Sequence, residues 1–236
     1  LQKAAELGPR TTLIDWQHRW GLAQARLQES AGEWEAALTA LDEARQGYIK
    51  NPIPILHPIE ARKARIHLKQ GHLKQAQVWA RECGLSVADP VNYLHEHEYL
   101  TLARVRLAEG SLQGVSGLLD RLLALAETQK RTGSLIEILL TQALVYQAQG
   151  SRPQANLALE RALTLAEPEG YLRIFIDEGQ ALRALIEKLP QSRDYPLRSY
   201  TDRLMAAFAA SAAAPKSTAA RQKYNTAETL SERELE

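Results

Sequence analysis

Three arginines, Arg26, Arg65 and Arg104, recur at one constant interval, each directly after an alanine (Ala25, Ala64 and Ala103). A guanidinium is planar, permanently charged and forked in its donors, so a row of them could grip a carboxylate, a phosphate or an acidic peptide. The competing reading is local: Arg26 with Glu29 and Arg104 with Glu109 would simply pair on a helix surface and solvate it. His95-Glu96-His97-Glu98 has ligand chemistry but the wrong spacing, because residues two apart on a helix point roughly 200° apart. With no H-E-x-x-H and no second cysteine beside Cys83, neither a metal site nor a cofactor is expected. Trp16 and Trp20, four apart, could wall a planar ligand, although packing between helices is the favoured reading; Trp34 and Trp79 read as packing. No Ser-His-Asp set and no distinct carboxylate pair emerges, so no enzyme is expected.

The elements that must position these residues are set by four glycines, Gly32, Gly71, Gly110 and Gly150, spaced 39, 39 and 40 apart. Seven positions before them stand Ala25, Ala64, Ala103 and Ala143. Five after come Ala37, Ala76, Val115 and Ala155; nine after, Leu41, Ala80, Leu119 and Leu159; twelve after, Ala44, Cys83, Leu122 and Ala162. Small or apolar residues at fixed offsets mark stacked units that pack on their neighbours. Cys83, at the last offset, reads as a small buried hydrophobe.

Within each unit the apolar spacing of three and four predicts a helix, a glycine turn and a second helix. The expected spans are 12–31 and 33–49, 58–70 and 73–83, 91–109 and 112–130, and 134–149 and 152–166. Asn51-Pro52-Ile53-Pro54 and Ala88-Asp89-Pro90 mark crossings between units. Pro153 falls in a first helical turn, where its missing N–H costs nothing. Beyond Gly150 the period fails. Tyr171–Ile176 is expected as a short helix rather than a strand, inside an atypical cap from about 167 that continues to 189. A helix over 197–210 follows, then an Ala/Ser/Thr/Lys-rich linker from Ser211 to Ala227. Ser231 and Glu234 form a capping box opening a further helix.

The net charge of +1 (29 Lys+Arg against 28 Asp+Glu) excludes a sequence-independent nucleic-acid binder. One cysteine fits a reducing, cytoplasmic setting. No run is apolar enough to span a bilayer, and no signal-peptide layout opens the chain. The start at Leu1 suggests a piece of a longer protein.

The glycine and alanine offsets match the tetratricopeptide repeat, lengthened to the glycine period given above, and the longer period is similar to the solenoid of MalT-like activators of the LuxR family. Leu102–Gly110 looks like a repeat unit of that family, Glu167–Gly179 resembles the segment that closes its solenoid, and Leu230–Glu236 is similar to the opening of its DNA-binding domain. The resemblance implies an all-α, right-handed superhelical solenoid over 1–190, a helix plus linker over 191–229, and a truncated helix-turn-helix start over 230–236. It implies a signal-sensing and interaction domain whose inducer or partner protein controls activator oligomerisation, with ATP and DNA handled by other domains. No G-x-x-x-x-G-K-[ST] loop occurs here. A repeat adapter that binds a peptide, with no small-molecule role, is the alternative. By the same resemblance the residue after each helix alanine faces the concave groove. Arg26, Arg65 and Arg104 would line it with Leu144, beside Arg19, Leu22, Ala61, Lys69, His97, Leu100, Glu137, Leu140 and Gln147.

Overall fold

A computed structural model describes residues 2–10, 13–49, 55–189 and 195–213. Among these the structure is helical, without a strand. The described residues fall into two compact units, one within 1–48 and one within 49–212.

The first unit contains α1 (Gln2–Leu7), a 3-10 turn (Gly8–Arg10), α2 (Trp16–Ala31) and α3 (Trp34–Gln46). α2 ends where Gly32 turns left-handed (φ 76°), its N–H bonding Glu29 O at 3.1 Å. Gly71, Gly110 and Gly150 adopt the same conformation (φ 78°, 73° and 78°), so the four period-setting glycines do one physical task. α2 and α3 meet at Gly21, where a Cβ would lie 2.8 Å from Ala40 O; a side chain there would drive the helices apart. Trp16 packs on Gly8, whose added Cβ would fall 2.4 Å from the indole ring. Trp16, Trp20 and Trp34 are each half-buried.

The second unit holds α4 (Ile59–Lys69), α5 (Leu73–Glu82), a 3-10 turn (Tyr93–His95), α6 (Glu96–Glu109), α7 (Val115–Thr128), α8 (Thr132–Ala148) and α9 (Arg152–Ala166). The short α10 (Arg173–Ile176), α11 (Gln180–Glu187) and α12 (Tyr195–Ala213) complete it. Each first helix packs on its second, and α4 packs on α6 and α6 on α8, so the first helices of three repeats form one layer. This is the stacking of a tetratricopeptide-like solenoid. The offsets explain why it closes. Every alanine seven before a glycine is at most 1% exposed, and Val115, Leu119, Leu122, Leu159 and Ala162 are sealed completely. Each buried leucine contributes about 1.5–3 kcal/mol by leaving water. One core joins α4, α5 and α6, a second α6, α7 and α8, and a third α8 and α9 with the C-terminal helices, through Phe175, Leu182, Tyr200, Leu204 and Phe208.

Several boundaries depart from the apolar period. α2 begins at Trp16, not near 12, because Leu13 and Ile14 lie in an exposed turn; residues 11 and 12 are outside the described set. α6 begins at Glu96 rather than 91, since extended Asn92 accepts the His95 N–H at 3.1 Å and holds a 3-10 turn. α7 begins at Val115 because Gly114 is left-handed (φ 77°). Cys83, expected as buried, is half-buried at the end of α5, where the helix stops one turn short of its counterparts. Within the expected Tyr171–Ile176 helix only Arg173–Ile176 is helical, with Phe175 fully buried, and Pro153 does sit in the first turn of α9. The linker expected from Ser211 does not begin there, because α12 continues to Ala213; the rest of it, the Asn51–Pro54 crossing and the Leu230–Glu236 opening lie outside the described residues.

Candidate functional site

The first-helix layer of the second unit carries a line of charges. Arg65 on α4 donates from Nη1 to Glu137 Oε1 on α8 (2.6 Å), from Nε to Thr101 Oγ1 on α6 (2.8 Å), and from Nη2 to His97 O (3.2 Å). Arg104 on α6 places Nη1 3.3 Å from the same Glu137 oxygen, and its Nη2 bonds Glu178 Oε1 just beyond α10. Two guanidiniums and two carboxylates thus alternate across three repeats and the cap.

Both arginines reach far ahead, by 72 and 74 residues. His97, Glu137 and Glu178 follow one another at steps of one repeat length. Glu178 therefore supplies to Arg104 what Glu137 supplies to Arg65, and the atypical cap continues the charge pattern after the glycine period has ended.

Burial opposes the ionisation of Glu137 and would raise its pKa, but Arg65 and Arg104 outweigh burial and hold it at about 2. Arg104 stays above its ordinary value because Glu178 and Glu137 overcome its burial, whereas burial pulls Arg65 below its own. Both remain charged at neutral pH. Arg65 is the less compensated end of the line.

Beside Glu137 opens a cleft of about 110 Å³, lined by Leu56, His57, Tyr93, Glu96, His97, Leu100, Ser134 and Glu137. Its far wall is a second ion pair: Arg131 Nη1 and Nη2 grip Glu96 Oε1 and Oε2, each at 2.6 Å. Arg131 also donates to Ser134 Oγ (2.5 Å) and lies over the Tyr93 ring, 4.7 Å from its centroid. His57 and His97 meet through their Nδ1 atoms at 3.0 Å, so one nitrogen carries the proton and the other accepts it. Burial, with Arg65, His57 and Arg104 nearby, holds His97 far below the ordinary histidine value, and it is neutral. Its Nε2 is buried without a hydrogen-bond partner. Ile55, Tyr93 and Leu94, all more than 40% exposed, put apolar surface on the two chain segments that form the mouth. The cleft therefore offers an apolar rim, one aromatic ring and a polar floor whose charges are internally balanced.

A family model for the MalT-like TPR region matches residues 1–192. The chain belongs to that family, and is a helical sensing or interaction domain of a MalT-like regulator. Comparison with curated proteins gives no match, and comparison with solved structures gives none.

Of the residues expected on the groove, Arg65, His97, Leu100, Arg104 and Glu137 come together. Arg65 and Arg104 do not stand as free cations, and Arg104 does not pair with Glu109, which Arg106 takes instead at 2.8 Å. Leu140 and Ala61 are sealed in the core, and Lys69 and Gln147 lie exposed near the ends of α4 and α8. Leu144 packs partly buried against the third core. Arg19, Leu22 and Arg26 belong to the other unit, where Arg19 pairs with Asp15 at 2.9 Å and Arg26 is exposed. Within His95–Glu98, His95 pairs with Glu98 (2.6 Å) while His97 turns to His57. Among the described residues no group of three or more His, Cys, Asp or Glu is placed to hold a metal ion. No described helix is long and apolar enough to cross a membrane. Sequence reasoning missed Glu178, Thr101, His57 and the Glu96–Arg131 wall; of these Glu178 and His57 left a signal, each about one repeat length outside the His97–Glu137 pair.

Proposed function

We propose that this domain is the effector-sensing part of an ATP-dependent, LuxR-type transcription activator of the cytoplasm, and that the cleft beside Glu137 is where a small-molecule inducer or a regulatory protein acts. The observation that carries this reading is the double duty of Glu137. Glu137 is one of the residues that line the cleft, and its carboxylate joins Arg65 of one repeat to Arg104 of the next. An occupant that contacts Glu137 therefore works on the joint between repeats. Bound preferentially to one arrangement of the stack, it shifts the population toward that arrangement. In the complete activator this shift would release an autoinhibited monomer for ATP-driven oligomerisation, with DNA contacted only by a separate domain. In this reading the role is non-catalytic and calls for no cofactor.

A peptide adapter is the second reading, favoured by the exposed Ile55, Tyr93 and Leu94 at the mouth. A thermal-shift screen separates the two. Sugars, organic acids, phosphates, aromatic metabolites and a peptide library are tested against the wild type and Ser134→Tyr, which fills the cleft. A compound present at a hundred times its Kd stabilises by about 2.7 kcal/mol. Stabilisation by a metabolite in the wild type alone supports the sensor, and stabilisation by peptides alone supports the adapter. A ligand that stabilises Ser134→Tyr equally refutes the cleft.

A further inference from the structure

Arg104 is shared between the cleft and the C-terminal end of the unit: one arm of its guanidinium faces Glu137 and the other bonds Glu178. Glu178 closes a short segment bounded by two left-handed glycines, Gly170 (φ 65°) and Gly179 (φ 75°). That segment is the seat of α12. Phe175, fully buried, meets the Tyr200 ring edge-on with centroids 6.1 Å apart, and the Tyr200 hydroxyl donates to Tyr171 O.

We propose that the Arg104–Glu178 pair is a latch that couples the state of the cleft to the seating of α12. One guanidinium serves two carboxylates, so their hold on it is competitive. A hydrogen-bond donor placed on Glu137 spreads that carboxylate's charge, and Arg104 then holds Glu178 more tightly. An anion that draws Arg104 toward the cleft loosens Glu178, and with it the segment that carries Phe175 and Tyr171. The glycines at each end let the segment shift as one piece, because left-handed turns without side chains give at low steric cost. A carboxylate that merely neutralised Arg104 would not relay a change made at Glu137. The inference rests on the cleft being the effector site only for its purpose. The coupling is tested with no effector present, so a failed ligand screen leaves the test standing.

Hydrogen exchange of amides 197–208 on α12, taken relative to amides 155–166 on α9, is compared in the wild type, Glu178→Gln, Glu137→Gln and the double variant. A latch of ordinary allosteric strength changes relative exchange by about five-fold or more. Glu178→Gln is expected to speed α12 by at least that factor. Glu137→Gln frees Arg104 for Glu178, so it is expected to slow α12 by a comparable factor when Glu178 is present and to change it by less than about two-fold when Glu178 is replaced, as coupling through one shared partner requires. Glu137→Asp, which keeps the charge but withdraws it from Arg104, replaces Glu137→Gln where the latter does not fold. An equal effect of the Glu137 change in both backgrounds overturns the proposal, as does unchanged α12 exchange in Glu178→Gln.

Discussion

Replacing Glu137 by glutamine keeps the shape of the side chain and removes its charge, which isolates what that charge contributes. In the wild type its pKa falls from an ordinary 4.5 to about 2. At 1.36 kcal/mol per unit this difference corresponds to roughly 3 kcal/mol of stability at neutral pH. A second route gives the same size: removing one partner of a buried ion pair costs about 3–5 kcal/mol, because the other charge stays buried. Here Arg104 keeps Glu178, so the uncompensated charge is Arg65, left with Thr101 and the His97 carbonyl. The sign with pH follows from the lowered pKa. The contribution is present in full above about pH 4.5 and is lost as pH falls toward 2, so the gap between wild type and variant narrows from about 3 kcal/mol at pH 7 to about 2 near pH 3.5. Equilibrium urea unfolding across that range, followed by far-UV circular dichroism, measures it. A gap below 1 kcal/mol at pH 7, or one that does not narrow on acidification, would refute the argument that Arg65 and Arg104 hold Glu137 ionised.

Other changes test the fold around this site. Gly110→Ala meets no atom within 4 Å yet must keep φ near 73°, so thermal unfolding should show a loss of about 1–2 kcal/mol from backbone strain alone. Gly21→Ala should cost more than that, because its Cβ would press on Ala40 O and Ala44 at 2.8 Å; circular dichroism of the variant should show the loss. Tyr200→Phe removes the bond to Tyr171 O and should lower stability by about 1 kcal/mol in urea, without loss of helicity. His97 is held neutral, so its share of stability is intact above about pH 6.5 and is lost at no more than about 1.4 kcal/mol per pH unit below it. His97→Gln should flatten that part of the pH–stability curve.

Much of this fold was legible because its informative residues repeat. The glycines needed a left-handed φ and the alanines needed space where helices touch, so both requirements appeared at a fixed period. Arg65 and Arg104 were legible for the same reason. Glu137 was placed on the same groove, but the pairing was not legible, since each arginine reaches a carboxylate nearly two repeats ahead, and helical spacing says nothing about contacts at that range. Glu178 lay in a segment that obeys neither the glycine nor the alanine pattern. Leu100 and Leu140 hold equivalent places in successive repeats, yet Leu140 is core alone and Leu100 also lines the cleft. Leu140 shares a core with Phe175 and Leu182 of the cap, and an apolar pattern does not show which neighbour covers a given position. Cys83 departs from its buried counterparts because α5 stops early, a boundary set by Gly84 (φ 70°) and the turn that follows.

The most direct test of the central claim is a hydrogen-exchange footprint of the chain with and without the compound or peptide that stabilises it. Added protection is predicted at residues 55–60, 93–100 and 134–137, the three segments that form the cleft. Protection confined to other segments, with these unchanged, would contradict the assignment of the cleft as the sensing site.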